Sequence, residues 1–309
     1  MTGFSSNTFV GEIWEITTFD GLTYQASDYF TKAVLTTPGD LGLPPIELIA
    51  RNPYKQPGEV ELNYRLQSRD FSILLATKGC SREAYWQARQ DLLQVCRPNR
   101  GGPVTVTLIR PDNTRFAIDA RCLTPTFPET PVEEWREWGF TEQVQLRALQ
   151  PTFYTPEQVI DNNVNDGFSE LAFPITFDDE NIWFGNEDVF GSITVAYTGT
   201  WYSMPIIEID GPFDNALVVH EDLGLFVQYL GAVGVGSTLT IDLSSVPVSV
   251  RVNNVNGFGL LGPQSDLSQF RLEVNPLVAG GLNHITFTLP GFTADTDARI
   301  RYYTRWIGI

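Results

Sequence analysis

From about residue 190 to the end, the chain is a run of short segments in which apolar and polar residues alternate. Clusters of Gly, Asn, Asp or Pro cut each segment off from the next. The segments fall near 192–198, 205–210, 216–220, 224–230, 237–243, 246–252, 269–274, 284–289 and 298–304. A side-chain period of two over so few residues marks a half-buried strand, and regular spacing of such strands leaves a sandwich or a barrel as the available folds. The ending fits: GlyGlyLeuAsnHisIleThrPheThrLeu at 280–289 leads through a short loop to ArgIleArgTyrTyrThrArgTrpIleGly at 299–308. No internal repeat or low-complexity tract interrupts the pattern.

The first half reads differently. Trp14, Ile16, Phe19, Leu22 and Tyr24 surround a turn at PheAspGlyLeu 19–22, which predicts a hairpin. Residues 36–60 are punctuated by proline and glycine yet carry Leu41, Leu43, Pro44, Ile46 and Leu48. Such a stretch is too broken for a long strand and too apolar for a free linker. Two readings stay open: an irregular loop packed on its own domain, or an arm that buries those five residues against a neighbouring subunit. A strand follows at 70–76, and then the one convincing helix, about 82–96. Ser81 supplies an N-cap, Glu83 lies in the first turn, Tyr85, Ala88, Leu92 and Val95 form one stripe, and Pro98 stops it. Val104, Val106 and Leu108, then Phe116, Ile118 and Ala120, form a hairpin around ProAspAsnThr 111–114, and a last strand runs near 138–149. The fold class is therefore mainly β, with one α-helix in the N-terminal part and a β-sandwich at the C-terminal end.

A length of 309 residues makes two domains the default, and charge places the boundary. Up to residue 155 there are 15 Lys and Arg against 18 Asp and Glu, a net −3. Beyond it there are 5 against 19, a net −14. We therefore expect domains at 1–155 and 156–309. The acidic half repels nucleic acid and anionic membranes. Three cysteines without metal spacing (Cys80, Cys96 and Cys122) suggest reduced core thiols and synthesis in a cytoplasm. No early apolar run or 20-residue apolar span stands out, so neither a secretory signal nor a membrane helix is expected.

Enzymatic templates fail in turn. His220 and His284 are the only histidines, both in predicted strands, and no H-E-x-x-H, G-x-S-x-G or G-x-x-x-x-G-K string occurs. Asp161, Asn163 and Asn165 imitate the first ligands of a calcium loop, but the glycine comes one place late, at Gly167, and Ala172 stands where glutamate belongs. An interdomain turn is the better reading there, and a solvated loop is the better reading of the acids at 178–188. No catalytic residue, cofactor site or metal site is expected. Trp183, Trp201 and Tyr202, set among polar residues, suit either packing or stacking on sugar rings. A carbohydrate-binding module that recognises a bacterial surface glycan is thus the alternative function.

The order of these fragments resembles the distal tail proteins of long-tailed bacteriophages, the siphophage baseplate hub family. The likeness rests on ArgAspPheSerIleLeuLeuAlaThrLysGly (69–79), GluAlaTyrTrpGlnAlaArgGlnAspLeuLeu (83–93) and ValGlnLeuArgAlaLeuGlnProThrPheTyr (144–154). In the second half it rests on ProIleIleGluIleAspGly (205–211), GlySerThrLeuThrIleAsp (236–242), GlyGlyLeuAsnHisIleThrPhe (280–287) and the final strand. The resemblance implies an N-terminal belt domain that forms a hexameric ring and a galectin-like C-terminal sandwich that projects from it. It implies a structural virion protein and no enzyme, sited at the tail tip and assembled in the bacterial host. Its expected partners are copies of itself, the tail tube protein, the tail-associated hub protein and the tape-measure protein, with DNA passing through unbound and no membrane contact. Residues 36–60 take the position of the family's arm.

Six copies of a −14 domain repel one another if crowded, whereas a −3 domain packs readily against itself. The ring is therefore expected to be built by the first domain. Reversing charges on the second domain should leave the oligomer intact by light scattering; its dissolution would overturn that assignment.

Overall fold

The computed structural model of the chain describes residues 12–27, 32–36, 41–52, 58–78, 81–99, 101–126, 139–161, 165–166 and 189–309. Contacts divide it into two units. One runs up to Pro156 and takes in Trp306–Ile309; the other is Glu157–Arg305.

The first unit contains β1 (Ile13–Thr17), β2 (Thr23–Ser27), β3 (Lys32–Thr36), β4 (Ile46–Arg51), β5 (Val60–Leu66) and β6 (Arg69–Lys78). These are followed by α1 (Arg82–Val95), β7 (Val104–Ile109), β8 (Arg115–Thr126), β9 (Gly139–Ala148) and β10 (Phe153–Tyr154). The main sheet runs β2-β1-β7-β8-β9-β6-β3, with β10 added against β8, while among the described residues β4 and β5 pair only with each other. Period two decides the buried face. Trp14 and Ile16, Val106 and Leu108, Phe116, Ile118 and Ala120, and Val144, Leu146 and Ala148 all enter one cluster. The β1–β2 turn closes where the Thr18 amide donates to the Leu22 carbonyl, with Gly21 at φ +85°, a left-handed position that suits glycine.

Helix α1 lies against β2 and β6. The Ser81 hydroxyl accepts from the Ala84 amide at 3.2 Å, and Cys96 ends the helix, its own amide donating to Leu92. Leu92 and Val95 are buried, each worth about 1.5–3 kcal/mol of apolar transfer, and Ala88 sits half-buried beside them. The Tyr85 side chain lies outside what the structure describes.

At the start of β6 stands Arg69, 1% exposed. Its guanidinium donates through Nε to the Pro151 carbonyl (3.0 Å) and through Nη2 to the carbonyls of Gly42 and Ile307 (2.8 Å each), and it sits 4.8 Å from the centre of the Phe153 ring. Trp306 packs edge-on against Phe116, and the Ile309 amide donates to the Leu41 carbonyl. These contacts hold residues 306–309 with the first unit. A Cβ on Gly308 would meet the Gly42 carbonyl oxygen at 2.6 Å, so this closure needs glycine.

The second unit is a sandwich. Its strands are β11 (Val159–Asp161), β12 (Asn165–Asp166), β13 (Val189–Ala196), β14 (Ile206–Asp210), β15 (Ala216–His220) and β16 (Leu225–Tyr229). Next come β17 (Thr238–Asp242), β18 (Ser249–Val252), β19 (Val255–Asn256), β20 (Leu282–Thr288) and β21 (Asp297–Tyr302). One sheet runs β11-β21-β14-β17-β18-β19 and the other β12-β13-β20-β15-β16. Ile207, Leu239 and Ile300 from the first meet Ile193, Val218 and Phe287 from the second in a single cluster. Residues 269–274, expected as a strand, form only an isolated bridge, Ser203 to Leu272. Phe270 and Leu272 still plug the core, which is why their alternation imitates a strand.

Arg69→Met removes a buried cation and deprives the carbonyls of three distant segments of its donors. We expect it to destabilise the first unit by about 3–5 kcal/mol in chemical denaturation. A loss below about 1 kcal/mol would show that these segments hold one another without it.

Candidate functional site

The β4–β5 hairpin turns its apolar side outward. Ile46 faces Leu66 and Leu48 faces Tyr64 across the pair, with Leu62 and Val60 continuing the row along β5. Leu48 is 63% exposed and Leu62 61%, and Ile46, Val60 and Tyr64 are exposed as well. The opposite side carries Ile49 among polar residues: Glu47 accepts from Arg65 in an ion pair and from Gln67 at 3.4 Å, and the Arg65 bond holds the Glu47 carboxyl below its usual range. A two-stranded hairpin is marginal alone in water, and several large side chains in one exposed row point to a surface that another molecule covers.

The five residues expected in an arm separate here. Leu41 and Pro44 are buried within the first unit, Leu41 in its core cluster. Leu43, Ile46 and Leu48 are exposed. Sequence reading missed Val60, Leu62 and Tyr64, although their alternation with Glu61, Asn63 and Arg65 was available as a signal.

In the second unit, Trp201 and Tyr202 are half-buried with ring centres 5.0 Å apart. Arg271 lies 4.9 Å over Tyr202 and pairs with the buried Glu273 at 2.6 Å. One face of Tyr202 is thus already taken by a cation. Trp183 lies outside the described residues, as do Asn163, Gly167, Ala172 and the acids at 178–188. Among the described residues no group of three His, Cys, Asp or Glu is placed to hold a metal ion, and no helix is long and apolar enough to cross a membrane.

Both histidines converge on Asp222. The His284 amide donates to Asp222 Oδ2 at 2.7 Å, and its Nδ1 lies 3.1 Å from both carboxylate oxygens. His220, fully buried at the end of β15, has its Nε2 3.0 Å from Asn283 Oδ1. That oxygen also accepts the Glu273 amide, so His220 Nε2 is the donor. Its Nδ1 is left bare and unpartnered, 3.9 Å from Asp222 Oδ2.

Burial pushes the His220 imidazole below 6.5, against the opposing pulls of Asn283 and Asp222. The unfolded chain therefore takes up a proton here before the folded one does. Stability of the second unit is full above the unfolded value and is lost as pH falls below it, until the folded form also protonates. His220→Gln should flatten the fall in melting temperature between about pH 7 and pH 5. An unchanged slope would mean that other groups carry it.

No family model matches this sequence, and no curated protein matches it. Solved structures do, three of them at 12–13% identity. The Dit protein (gp19.1) of phage SPP1, described as a paradigm of the hub adsorption apparatus of phages that infect Gram-positive bacteria, superposes with a TM-score of 0.62. The two share 12% identity over 94% of this chain and 98% of that one. A chain of the phage p2 baseplate in its activated conformation, solved with strontium and again with calcium, gives a TM-score of 0.52 at 13% identity. That match covers 94% of this chain and 97% of the baseplate chain in each case. The fold is that of the SPP1 protein and of the p2 baseplate chain along nearly the whole chain.

Proposed function

We propose that this protein is a structural component of the tip of a long, non-contractile phage tail. Its first unit closes into a ring, and the ring joins the tail tube on one side to the hub and adsorption apparatus on the other. One observation carries the reading: both units share their fold, end to end, with a hub protein and a baseplate chain. The apolar hairpin gives the ring a physical means. In a cyclic assembly one surface of each subunit meets a different surface of the next, so an outward apolar face on one part of the molecule is what a single subunit should show. Leu43, Ile46, Leu48, Leu62 and Tyr64 are the residues we assign to that contact, in a ring of six.

The lumen would carry the tape-measure protein and then DNA. A chain with net charge −17 offers DNA little to hold, which suits passage without binding. No step of this role needs catalysis, a cofactor or a metal. The acidic sandwich, with a net −14 beyond residue 155, is the half less suited to being crowded against copies of itself.

Light scattering on the purified chain, with negative-stain images of the same peak, is expected to give a sixfold mass and ring-shaped particles. Leu48→Asp combined with Leu62→Asp should return the mass to that of a monomer. Both side chains are mostly exposed, so the melting temperature should stay within a change of about 0.5 kcal/mol in stability per site. A ring that survives the double substitution would remove the hairpin from the interface. A chain that stays monomeric even with the tube and hub proteins added would remove the ring itself.

A further inference from the structure

A groove of about 800 Å³ opens beside the β18–β19 hairpin, wholly within the second unit. Its apolar side is made by Val248, Leu267 and Phe258. The first two pack on the sandwich core, and Phe258 is left 47% exposed. Its polar side is made by Arg251, Asn254 and Asn256, all exposed. Arg251 and Asn256 stand opposite each other across the two strands, so they share one face of the hairpin. Asn256 Oδ1 accepts the Phe258 amide at 3.0 Å, which fixes the carboxamide and leaves its Nδ2 to donate elsewhere. Asn253 and Asn254 make the turn, both at positive φ. Asn253 is spent on the fold: its Oδ1 accepts the Thr238 amide and its Nδ2 donates to the Ser237 hydroxyl, both at 2.9 Å. The Asn254 side chain has no such partner among the described residues.

Arg271, Arg299 and Arg301 each hold a carboxylate. Arg251 holds none among the described residues, although beyond residue 155 acids outnumber arginines 19 to 5. Where acids are this abundant, a guanidinium left without one on the wall of a groove is available to an anion from outside. We propose that this groove binds an acidic sugar, a pyranose ring bearing a carboxylate, within an otherwise neutral oligosaccharide. The Arg251 fork takes the carboxylate through two N–H donors. The carboxamides of Asn254 and Asn256 face the ring hydroxyls, which both donate and accept. Phe258 offers its exposed ring to the C–H face of the sugar, with Val248 and Leu267 completing the apolar side. The volume suits about two or three sugar rings. The strongly negative field of the unit repels a polyanion, so the acid groups of the ligand have to be sparse. This site is distinct from Trp201 and Tyr202, and it does not rest on the ring, since every residue of the groove belongs to one unit.

The test titrates the full chain with a glucuronate-bearing disaccharide and with the same disaccharide after its carboxylate has been reduced to the alcohol, by calorimetry and by saturation-transfer NMR. The acidic sugar should bind once per chain with a Kd of about 0.1–1 mM, as suits an open site that buries part of a small ligand, and more weakly as salt is raised. The neutral sugar should bind at least about tenfold more weakly. Arg251→Met should abolish that discrimination by weakening the acidic sugar alone, and Phe258→Ala should weaken both. The two side chains are exposed, so neither variant should alter the melting temperature or the mass by light scattering, and the groove and the ring are tested separately. Trp201→Ala should leave binding intact. Absence of binding by both methods at about 10 mM sugar, equal affinity for the two sugars, discrimination that survives Arg251→Met, or loss of binding in Trp201→Ala would each overturn the proposal.

Discussion

A buried arginine with carbonyl partners has to be built around, because a guanidinium out of water costs several kcal/mol unless its donors are answered. Arg69 meets that demand by drawing on the backbone of Gly42, Pro151 and Ile307, which are far apart in sequence. Gly42 lies at the entry to the hairpin, Pro151 at the exit from the main sheet, and Ile307 among the last residues of the chain. The arginine satisfies these carbonyls as they satisfy it. Gly308, where an added Cβ would run into the Gly42 backbone, shows how close the two backbones must come around that one cation. The cohesion of the first unit is in this sense polar at its seam and apolar only in its bulk.

The same seam explains how the hairpin can be exposed and still be placed. Its base is held by Leu41 in the core, by the Gly42 carbonyl on Arg69, and by the Gln67 amide on the Pro45 carbonyl. Beyond that base, β4 and β5 depend on their own cross-strand bonds and on the Glu47–Arg65 face. An apolar row on a firmly rooted, otherwise unsupported hairpin loses little entropy on docking, since its strands are already formed. That is an advantage for a repeated interface, where every subunit must meet its neighbour in one register.

Much of the fold was legible because local signals agreed with tertiary demand. Ser81, Glu83, Leu92, Val95 and Pro98 each argued for the same helix, and the β7–β8 hairpin and β14 to β18 alternate against a core of their own. Three features escaped for physical reasons. The alternation in β5 reports a face that no part of the subunit buries, so it looked like part of a broken loop. Residues 269–274 alternate because Phe270 and Leu272 plug the sandwich while Arg271 and the buried Glu273 pair with each other, which copies a strand without its ladder. Arg69 carries no pattern at all, since its partners are backbone carbonyls brought together only by the folded chain. Of the expected interface set, the sequence could not separate Leu41 from Leu48, because both are leucines in the same punctuated stretch and only the folded chain buries one and exposes the other.

Charge supplies the last constraint. The second unit has five cations, and the sandwich pairs three of them internally: Arg299 reaches Glu208 at 2.7 Å and Asp210 at 2.9 Å across β21 and β14, Arg301 reaches Glu208 at 2.5 Å, and Arg271 is held by Glu273. These bonds raise the Arg299 guanidinium further above its ordinary value, Glu208 being the main cause, so it remains a fixed structural charge. Carboxylates still far outnumber these cations, and the surface field of the unit is strongly negative. At physiological ionic strength that field decays over about 8 Å. Copies of the second unit therefore need only modest separation to stop repelling one another, whereas the nearly neutral first unit can be packed edge to edge. A chain divided in this way favours assemblies that crowd its first half and spread its second.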